Sequence, residues 1–272
     1  MSVASPRLVK PSLITKTFSN VGNKQYIIGH MPFSVTLEET TAAGMDGIEH
    51  LYYVLKACSA EEDAITKDII AGKTSFWASL DRVMHTYNKE SAKTAFATLK
   101  SRDVYVIPTL HINHTLSYLD EENHDKDEYL YYMGDGITKT YEGRIKSALN
   151  ASAAVVKTRK QLDSAFVSLV KNLQDNKVKL LAGSDCGAFN SYVYPGISLH
   201  RELKALVKAG LSPLQALQTS ALNGAKFLKK ENIGSIKENY KADLVFGTRN
   251  TSFKERMRIL ADGKVGIGIV SS

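Results

Sequence analysis

Short apolar runs alternate with longer segments of helical periodicity along most of this chain. A strand that is buried on both faces gives a continuous apolar run, and strands that alternate with helices form a parallel sheet. The apolar runs cover residues 26–29, 47–49, 104–109 and 178–182. We therefore predict an α/β fold in which these four strands belong to consecutive βα units.

The segments between the runs predict the helices. A short helix is expected over residues 35–43, with Ser34 as its N-cap and Gly44 after its end. Ser212 can cap a later helix, and Pro213 suits the first turn of that helix. The other predicted helices lie at 75–84 and 91–99 within a helical region from 60 to 100, at 152–173, at 198–209 and at 213–228.

Two stretches depart from this alternation. Residues 110–136 are polar, aromatic and long for a structureless connection, which indicates a lid or a pocket wall. The end of the chain has strand-like segments at 242–246 and 263–270, which predict a small separate sheet. We expect a first domain over residues 1–235 and a second over 236–272.

A metal-binding residue type follows three of the apolar runs: His30, His50 and Asp185. In a β/α barrel the residues just after the strands converge on one mouth, where the chemistry is done. Neutral imidazole and carboxylate are common ligands of divalent metals, so we predict that these three residues bind one metal ion. Asp185 could also take a proton from a metal-bound water. The alternatives are hydrogen-bonded pocket histidines without a metal, and a turn aspartate that bonds its own backbone.

The other histidines are weaker candidates. His111 and His114 follow the third run and could contact a substrate, although a solvated loop is equally compatible with the sequence. His200 starts a predicted helix after Asp185 and could line the same pocket. His124 is expected to be exposed, and His85 is expected to end a helix, where a cation complements the helix dipole.

Composition narrows the function classes. The chain has 272 residues, of which 43% are hydrophobic and 23% charged, which is typical of a globular protein. Its net charge of +7 is spread along the chain, so we expect no nucleic-acid partner. No apolar stretch is long enough for a membrane span, and no signal peptide is visible, so we expect a cytoplasmic location by default. Cys58 and Cys186 are expected to be free thiols.

Ordered motifs from His30 to about Phe246 resemble metal-dependent amidohydrolases of the imidazolonepropionase-like and prolidase-like branch. The matching stretches are residues 29–32, 43–50, 107–110, 182–187, 195–203, 210–217 and 241–245. The resemblance implies a partial (β/α)8 TIM-like barrel, with strands five to eight and their helices, plus a piece of a small β-sandwich. It covers the C-terminal two-thirds of such proteins.

The resemblance also implies roles for the candidate residues. His30 and His50 would end strands five and six and bind a divalent metal, with zinc favoured, and Asp185 would end strand eight as metal ligand and catalytic base. A metal-activated water would attack the C–N bond of an amide, a cyclic amide or a dipeptide-like small molecule. His111, His114 and His200 would contact this substrate.

The chain departs from the family pattern upstream of His30. The His-x-His of strand one and the metal-bridging lysine of strand four should precede His30, and Lys10 is the lysine considered for the latter. Three explanations remain open: a truncated product, a complementing chain that supplies the other half of the barrel, or a homo-oligomer. A second hypothesis is therefore a non-catalytic remnant, or a subunit that works only through association.

Overall fold

The computed structural model describes residues 26–187, 189–249, 253–260 and 262–267. Lys10 and the end of the predicted strand at 263–270 lie outside these residues. The chain divides into two compact units, residues 1–219 and residues 220–272. The domain boundary expected after residue 235 stays a prediction.

A small parallel sheet forms the centre of the first unit. Its strands are β1 (Ile28–Gly29), β2 (Gly47–Glu49) and β3 (Tyr105–Ile107), in that order. Ile48 of β2 pairs with Val106 of β3, and both side chains are fully buried. The apolar run of β3 is thus explained by a strand buried on both faces, whereas Ile28 of β1 is exposed. The bounds predicted for β2 are confirmed.

The fourth predicted strand, residues 178–182, is present only as one parallel bridge, between Leu180 and Val106. The Val106 N–H donates to the Lys179 carbonyl over 2.9 Å, and the Leu181 N–H donates to the Val106 carbonyl over 3.0 Å. The Ala182 N–H then donates to the Thr219 carbonyl, so the chain leaves the ladder after Leu181. The prediction of a regular strand is wrong, although the segment lies beside β3 as a fourth strand would.

Helices make up most of the first unit. They are α1 (Leu37–Ala42), α2 (Leu51–Ala57), α3 (Glu62–Ile70), α4 (Phe76–His85), α5 (Lys89–Ser101), α6 (Leu110–Ser117), α7 (Asp135–Thr138), α8 (Glu142–Leu149), α9 (Ala153–Asp175), α10 (Ile197–Lys208) and α11 (Pro213–Ser220). Helix α2 was not predicted. The helix predicted over 213–228 breaks at Ala221 and continues as α12 (Leu222–Phe227) in the second unit. His85 ends α4 as predicted.

The N-cap of α1 is Thr36, which corrects the prediction of Ser34. The Thr36 hydroxyl accepts the Glu39 N–H over 3.2 Å, and the Glu39 carboxylate accepts the Thr36 N–H over 2.8 Å. This reciprocal pair is a capping box, which satisfies two N–H groups that the first helical turn leaves unpaired.

Thr36→Ala is expected to lower the free energy of unfolding by about 1 kcal/mol, because the helix loses its side-chain cap. Ser34→Ala is the matched control and should change stability by less than about half of that. Urea unfolding of the two variants measures both values. Equal losses would contradict the assignment of the cap to Thr36.

A second, smaller apolar core lies beneath the region after α6. It contains Leu119, Tyr141, Tyr192 and Tyr194, against which residues of the predicted lid pack. His124 stacks on Tyr192 with ring centroids 4.5 Å apart, and its side chain is only 13% exposed. The expectation that His124 is exposed is therefore wrong, since its ring is covered by this aromatic cluster.

The second unit contains α12 and an antiparallel sheet. The sheet has strands β4 (Leu244–Arg249), β5 (Phe253–Ile259) and β6 (Val265–Ile267) in that order. Strands were predicted in this region, and β4 and β6 overlap the predicted segments.

Both cysteines are free thiols, as predicted. Within the described part of the chain, the helices lack the combination of length and apolar character needed to cross a membrane.

Candidate metal centre

Side chains that follow β1 and β2, and the carboxylate of Asp185, lie around the ring of His50. The Nε2 atom of His50 lies 2.9 Å from Nε2 of His30 and 3.7 Å from Oδ2 of Asp185. Glu49 joins them, with Oε2 4.0 Å from Nε2 of His30. His30, Glu49 and His50 each offer one ligand atom within 4.8 Å of the others. The residues predicted at the strand ends are thus brought to one rim of the sheet, together with Glu49.

Three residues that follow strands have left-handed or related backbone angles. Their φ values are 64° for His50, 50° for Thr109 and 51° for Asp185. Side chains with a Cβ rarely adopt φ above zero, and such residues often lie at functional sites, where neighbouring structure holds them in place. At His50 the backbone N–H donates to the Ile107 carbonyl over 2.9 Å, which fixes the turn against β3.

Thr109 holds the ring of His50 in one orientation. Its Oγ1 lies 2.7 Å from Nδ1 of His50, so Nε2 is the nitrogen that faces His30 and Asp185. Burial lowers the pKa of His50, the nearby Asp185 opposes this shift, and His30 adds to it. A neutral imidazole with one nitrogen already engaged by a neighbouring side chain is the form in which histidine binds metals.

The donor set fits a divalent transition metal such as zinc. His30, Glu49 and His50 offer two imidazole nitrogens and one carboxylate, which are usual zinc ligands, and the Asp185 carboxylate lies 3.7 Å from His50. With zinc–nitrogen bonds of about 2.05 Å in a tetrahedral site, two ligand nitrogens lie about 3.3 Å apart. The 2.9 Å between the two histidine Nε2 atoms differs from this by an amount that small side-chain rotations can supply. The site is open to solvent at His30, which is 62% exposed, and closed at His50, which is 15% exposed.

The loop after His30 is fastened to the helix after His50. Lys56, in α2, is fully buried, and its Nζ donates to the carbonyls of Phe33 and Val35 over 2.8 and 2.7 Å. Burial lowers the pKa of Lys56 to about 8. This ammonium group therefore joins the backbone segments that carry the two imidazoles.

The family model of the amidohydrolase family matches residues 34–262. The chain belongs to the amidohydrolase family. No curated protein matches this chain. The mixed α/β architecture with a small parallel sheet is consistent with the barrel-like domain of that family.

Solved structures of similar fold include several hydrolases. A bottromycin amidohydrolase matches with a TM-score of 0.61 at 18% identity, and the match covers 94% of the present chain and 53% of the bottromycin amidohydrolase. A Xaa-Pro dipeptidase with bound methionine matches with a TM-score of 0.52 at 14% identity, covering 95% and 48%. The ochratoxinase of A. niger matches with a TM-score of 0.53 at 13% identity, covering 96% and 47%. The TM-scores show a shared fold. The chain spans about half the length of each matched protein.

The three histidines predicted to contact substrate have different surroundings in the structure. His114 places Nδ1 2.8 Å from Oδ2 of the buried Asp163, and this hydrogen bond raises the pKa of His114. His111 has a buried Nε2 without a hydrogen-bond partner among the described residues, and burial lowers its pKa to about 4. His200 is exposed in the first turn of α10.

Glu202 was not recognised from the sequence. Its fully buried carboxylate accepts the Leu110 N–H over 3.0 Å and the His111 N–H over 2.7 Å, so it caps helix α6 from a different helix. Helix α6 begins directly after Thr109, the residue that bonds His50. Glu202 thus supports the backbone on which part of the metal centre is built.

Proposed function

We propose that this chain is a metal-dependent hydrolase that cleaves the C–N bond of a small molecule, such as an amide, a cyclic amide or a dipeptide-like compound. The observation that carries the proposal is the grouping of His30, Glu49 and His50, with Asp185 3.7 Å from His50, in a chain of the amidohydrolase family. The names of two structural neighbours, an amidohydrolase and a dipeptidase, support this substrate class.

In this proposal His30, His50 and Asp185 hold the divalent ion, zinc being favoured, and Glu49 is a further ligand. When bound, such an ion acts as a Lewis acid toward a carbonyl oxygen and acidifies water. Asp185 accepts the proton of the attacking water and delivers it to the leaving nitrogen. Its carboxylate is suited to this exchange because it is 36% exposed and yet lies 3.7 Å from His50 Nε2.

His111, His114 and His200 remain the proposed substrate-contacting residues. The unpartnered Nε2 of His111 supports its inclusion, since a buried polar atom without a hydrogen bond is costly unless a ligand or water completes it. Near Asp185, the side chain of Asn190 donates to the Asp185 carbonyl over 2.6 Å and holds the loop that carries the base.

A second candidate function is a subunit that needs another chain, or a second copy of itself, before it is active. Within the described residues β1 pairs with β2 alone, so one edge of the parallel sheet has no strand beside it. Open strand edges favour association. Light scattering combined with an activity assay separates the candidates: an active monomer would contradict this second one.

Metal reconstitution tests the main proposal. Protein stripped with a chelator and dialysed against zinc or manganese is expected to bind about one ion per chain, as one three- or four-ligand site predicts. The same sample is expected to hydrolyse members of a panel of dipeptides and cyclic amides. Traces of metal with no gain in activity would overturn the proposal. Stoichiometric metal without turnover would favour the second candidate.

Thr109→Val is expected to weaken metal binding about 10- to 100-fold, because it removes the hydroxyl that orients the His50 ring. Valine keeps the branched shape, so the fold should be retained. Thr109→Ser keeps the hydroxyl and serves as the control, with affinity close to that of the wild type. Competition with a zinc chelator measures the affinities. Equal weakening in both variants would point to backbone disturbance at this left-handed position.

A further inference from the structure

A cavity of about 690 Å³ lies between helices α2, α4, α6, α8 and α9 of the first unit. None of the four residues at the metal centre lines it. Its volume is in the range of sites that bind small molecules. This cavity is therefore a second concave site that the hydrolytic proposal does not use.

The cavity wall is largely apolar. It is lined by four leucines, Leu80, Leu116, Leu119 and Leu162. Trp77 also belongs to the lining, and 67% of its surface is exposed. A large indole in contact with water is unusual and gains free energy when a ligand covers it. The wall is thus suited to the hydrocarbon or aromatic part of a ligand.

Two guanidinium groups, those of Arg144 and Arg159, supply positive charge to this apolar wall. Elsewhere in the helices Arg82 pairs with Glu61 and Asp68, but no carboxylate lies within 4.0 Å of Arg144 or Arg159 among the described residues. Arginine without an acidic partner beside an apolar cavity is charge-complementary to an anion, and its planar fork matches a carboxylate.

Both arginines line the same cavity as Tyr52, whose hydroxyl donates to Asn113 Oδ1 over 3.1 Å. Burial raises the pKa of Tyr52 to about 12; the guanidiniums of Arg144 and Arg159 oppose this shift, and the carboxylate of Asp163 adds to it. Asp163 is not part of the cavity lining, and its two oxygens bind Asn113 Nδ2 and His114 Nδ1 over 2.8 Å each. Asp81, the carboxylate that does line the cavity, lies 3.4 Å from the His85 ring. The two guanidiniums are therefore the lining charges without a carboxylate partner among the described residues.

We propose that this cavity binds a small amphipathic carboxylate. The carboxylate lies between Arg144 and Arg159, and the apolar body packs against the leucines and Trp77. Such a ligand satisfies both features of the cavity at once, since the arginines gain an anion and the exposed indole is covered.

Trp77 provides the readout, because it is the chain's one tryptophan. Decanoate titrated into the full chain is expected to change the tryptophan fluorescence in a saturable manner. 1-Decanol has the same number of carbons but no charge. It is expected to bind at least about tenfold more weakly than decanoate, because it cannot form charge-assisted hydrogen bonds with the arginines. Calorimetry under the same conditions provides a second measurement that does not depend on the indole.

Variants locate the charge requirement. Arg144→Gln and Arg159→Gln should each weaken decanoate about tenfold while leaving decanol unchanged. Lys157→Gln is the matched control: it removes one exposed positive charge from the same helix outside the cavity lining and should leave decanoate binding intact. Because carboxylates also bind metals, decanoate is titrated into His50→Ala as well, where binding should persist.

Several results would overturn the proposal. These are the absence of both heat and fluorescence change, equal binding of decanoate and decanol, loss of binding in His50→Ala, and equal effects of the arginine and lysine variants. Loss in His50→Ala would place the carboxylate at the metal centre instead. A failure of hydrolytic activity leaves these readouts unaffected, so the two proposals fail separately.

Discussion

His50→Ala is expected to lose bound metal and to lower hydrolytic activity by at least about 100-fold, the usual scale for removing a group that organises a catalytic site. His50 is the residue that connects the centre, with Nε2 2.9 Å from His30 and 3.7 Å from Asp185. It is also the least exposed of the four candidate ligands, so water replaces it poorly. Elemental analysis of the purified variant measures the metal-to-protein ratio.

His85→Ala is the control for this experiment. His85 ends helix α4, is 72% exposed, and has Nδ1 2.8 Å from the carbonyl of Asp81 in its own helix. The control variant should keep the metal and the activity of the wild type. A His50→Ala protein that retains stoichiometric metal would refute the proposed ligand set, and the short contact between His30 and His50 would then be a hydrogen bond between two neutral rings.

Glu202→Ala is expected to lower the free energy of unfolding by about 4 kcal/mol, because two backbone N–H groups are left buried and unpaired. Removal of a buried carboxylate also leaves a cavity, which adds to the loss. Chemical denaturation measures the change. Glu238→Gln, at an exposed glutamate, is the control and should be close to neutral. A loss below about 1 kcal/mol would show that water replaces the carboxylate.

The pH dependence of the free energy of unfolding, compared between wild type and Glu202→Gln, distinguishes the charge of Glu202 from its hydrogen bonds. Burial raises the pKa of Glu202 to about 7, although the two N–H donors act in the opposite direction. Because the folded protein binds this proton more tightly than the unfolded chain, the contribution is fully present below the unfolded value near 4.5 and is lost as the pH rises toward about 7. Wild type should therefore lose stability relative to Glu202→Gln between pH 5 and pH 7, by about 2 kcal/mol. A difference that does not change with pH would contradict the raised pKa.

Much of the fold could be predicted from local patterns. The bounds of β2 followed from the buried residues Gly47 and Ile48 and from the charged Glu49, at which the buried stretch ends. The Thr36 cap was also legible, since Glu39 three residues later completes a capping box, yet Ser34 was chosen from residue type alone. The fourth strand was predicted over its full apolar run and is present only as one bridge, because the Ala182 N–H bonds Thr219, a residue far away in sequence that no local pattern reveals.

The candidate site was only partly predictable. His30, His50 and Asp185 could be found because each follows an apolar run. Glu49 was overlooked since strand alternation places neighbours on opposite faces, and only the positive φ of His50 brings both side chains to one rim. Glu202 carried no local signal, because its two partners begin a helix about 90 residues earlier and the contact exists only after the helices pack.

The positive φ values at His50, Thr109 and Asp185 imply a trade-off between the stability of the fold and the proposed activity. Glycine adopts such angles freely, so exchanging any of the three for glycine would relax the turn while deleting a proposed ligand, the hydroxyl that orients the His50 ring, or the proposed base. Selection for thermal stability alone would therefore favour glycine at these three positions, whereas selection for the proposed activity would retain His50, Thr109 and Asp185. Engineering of this chain should therefore hold these three codons fixed and seek thermal gains elsewhere.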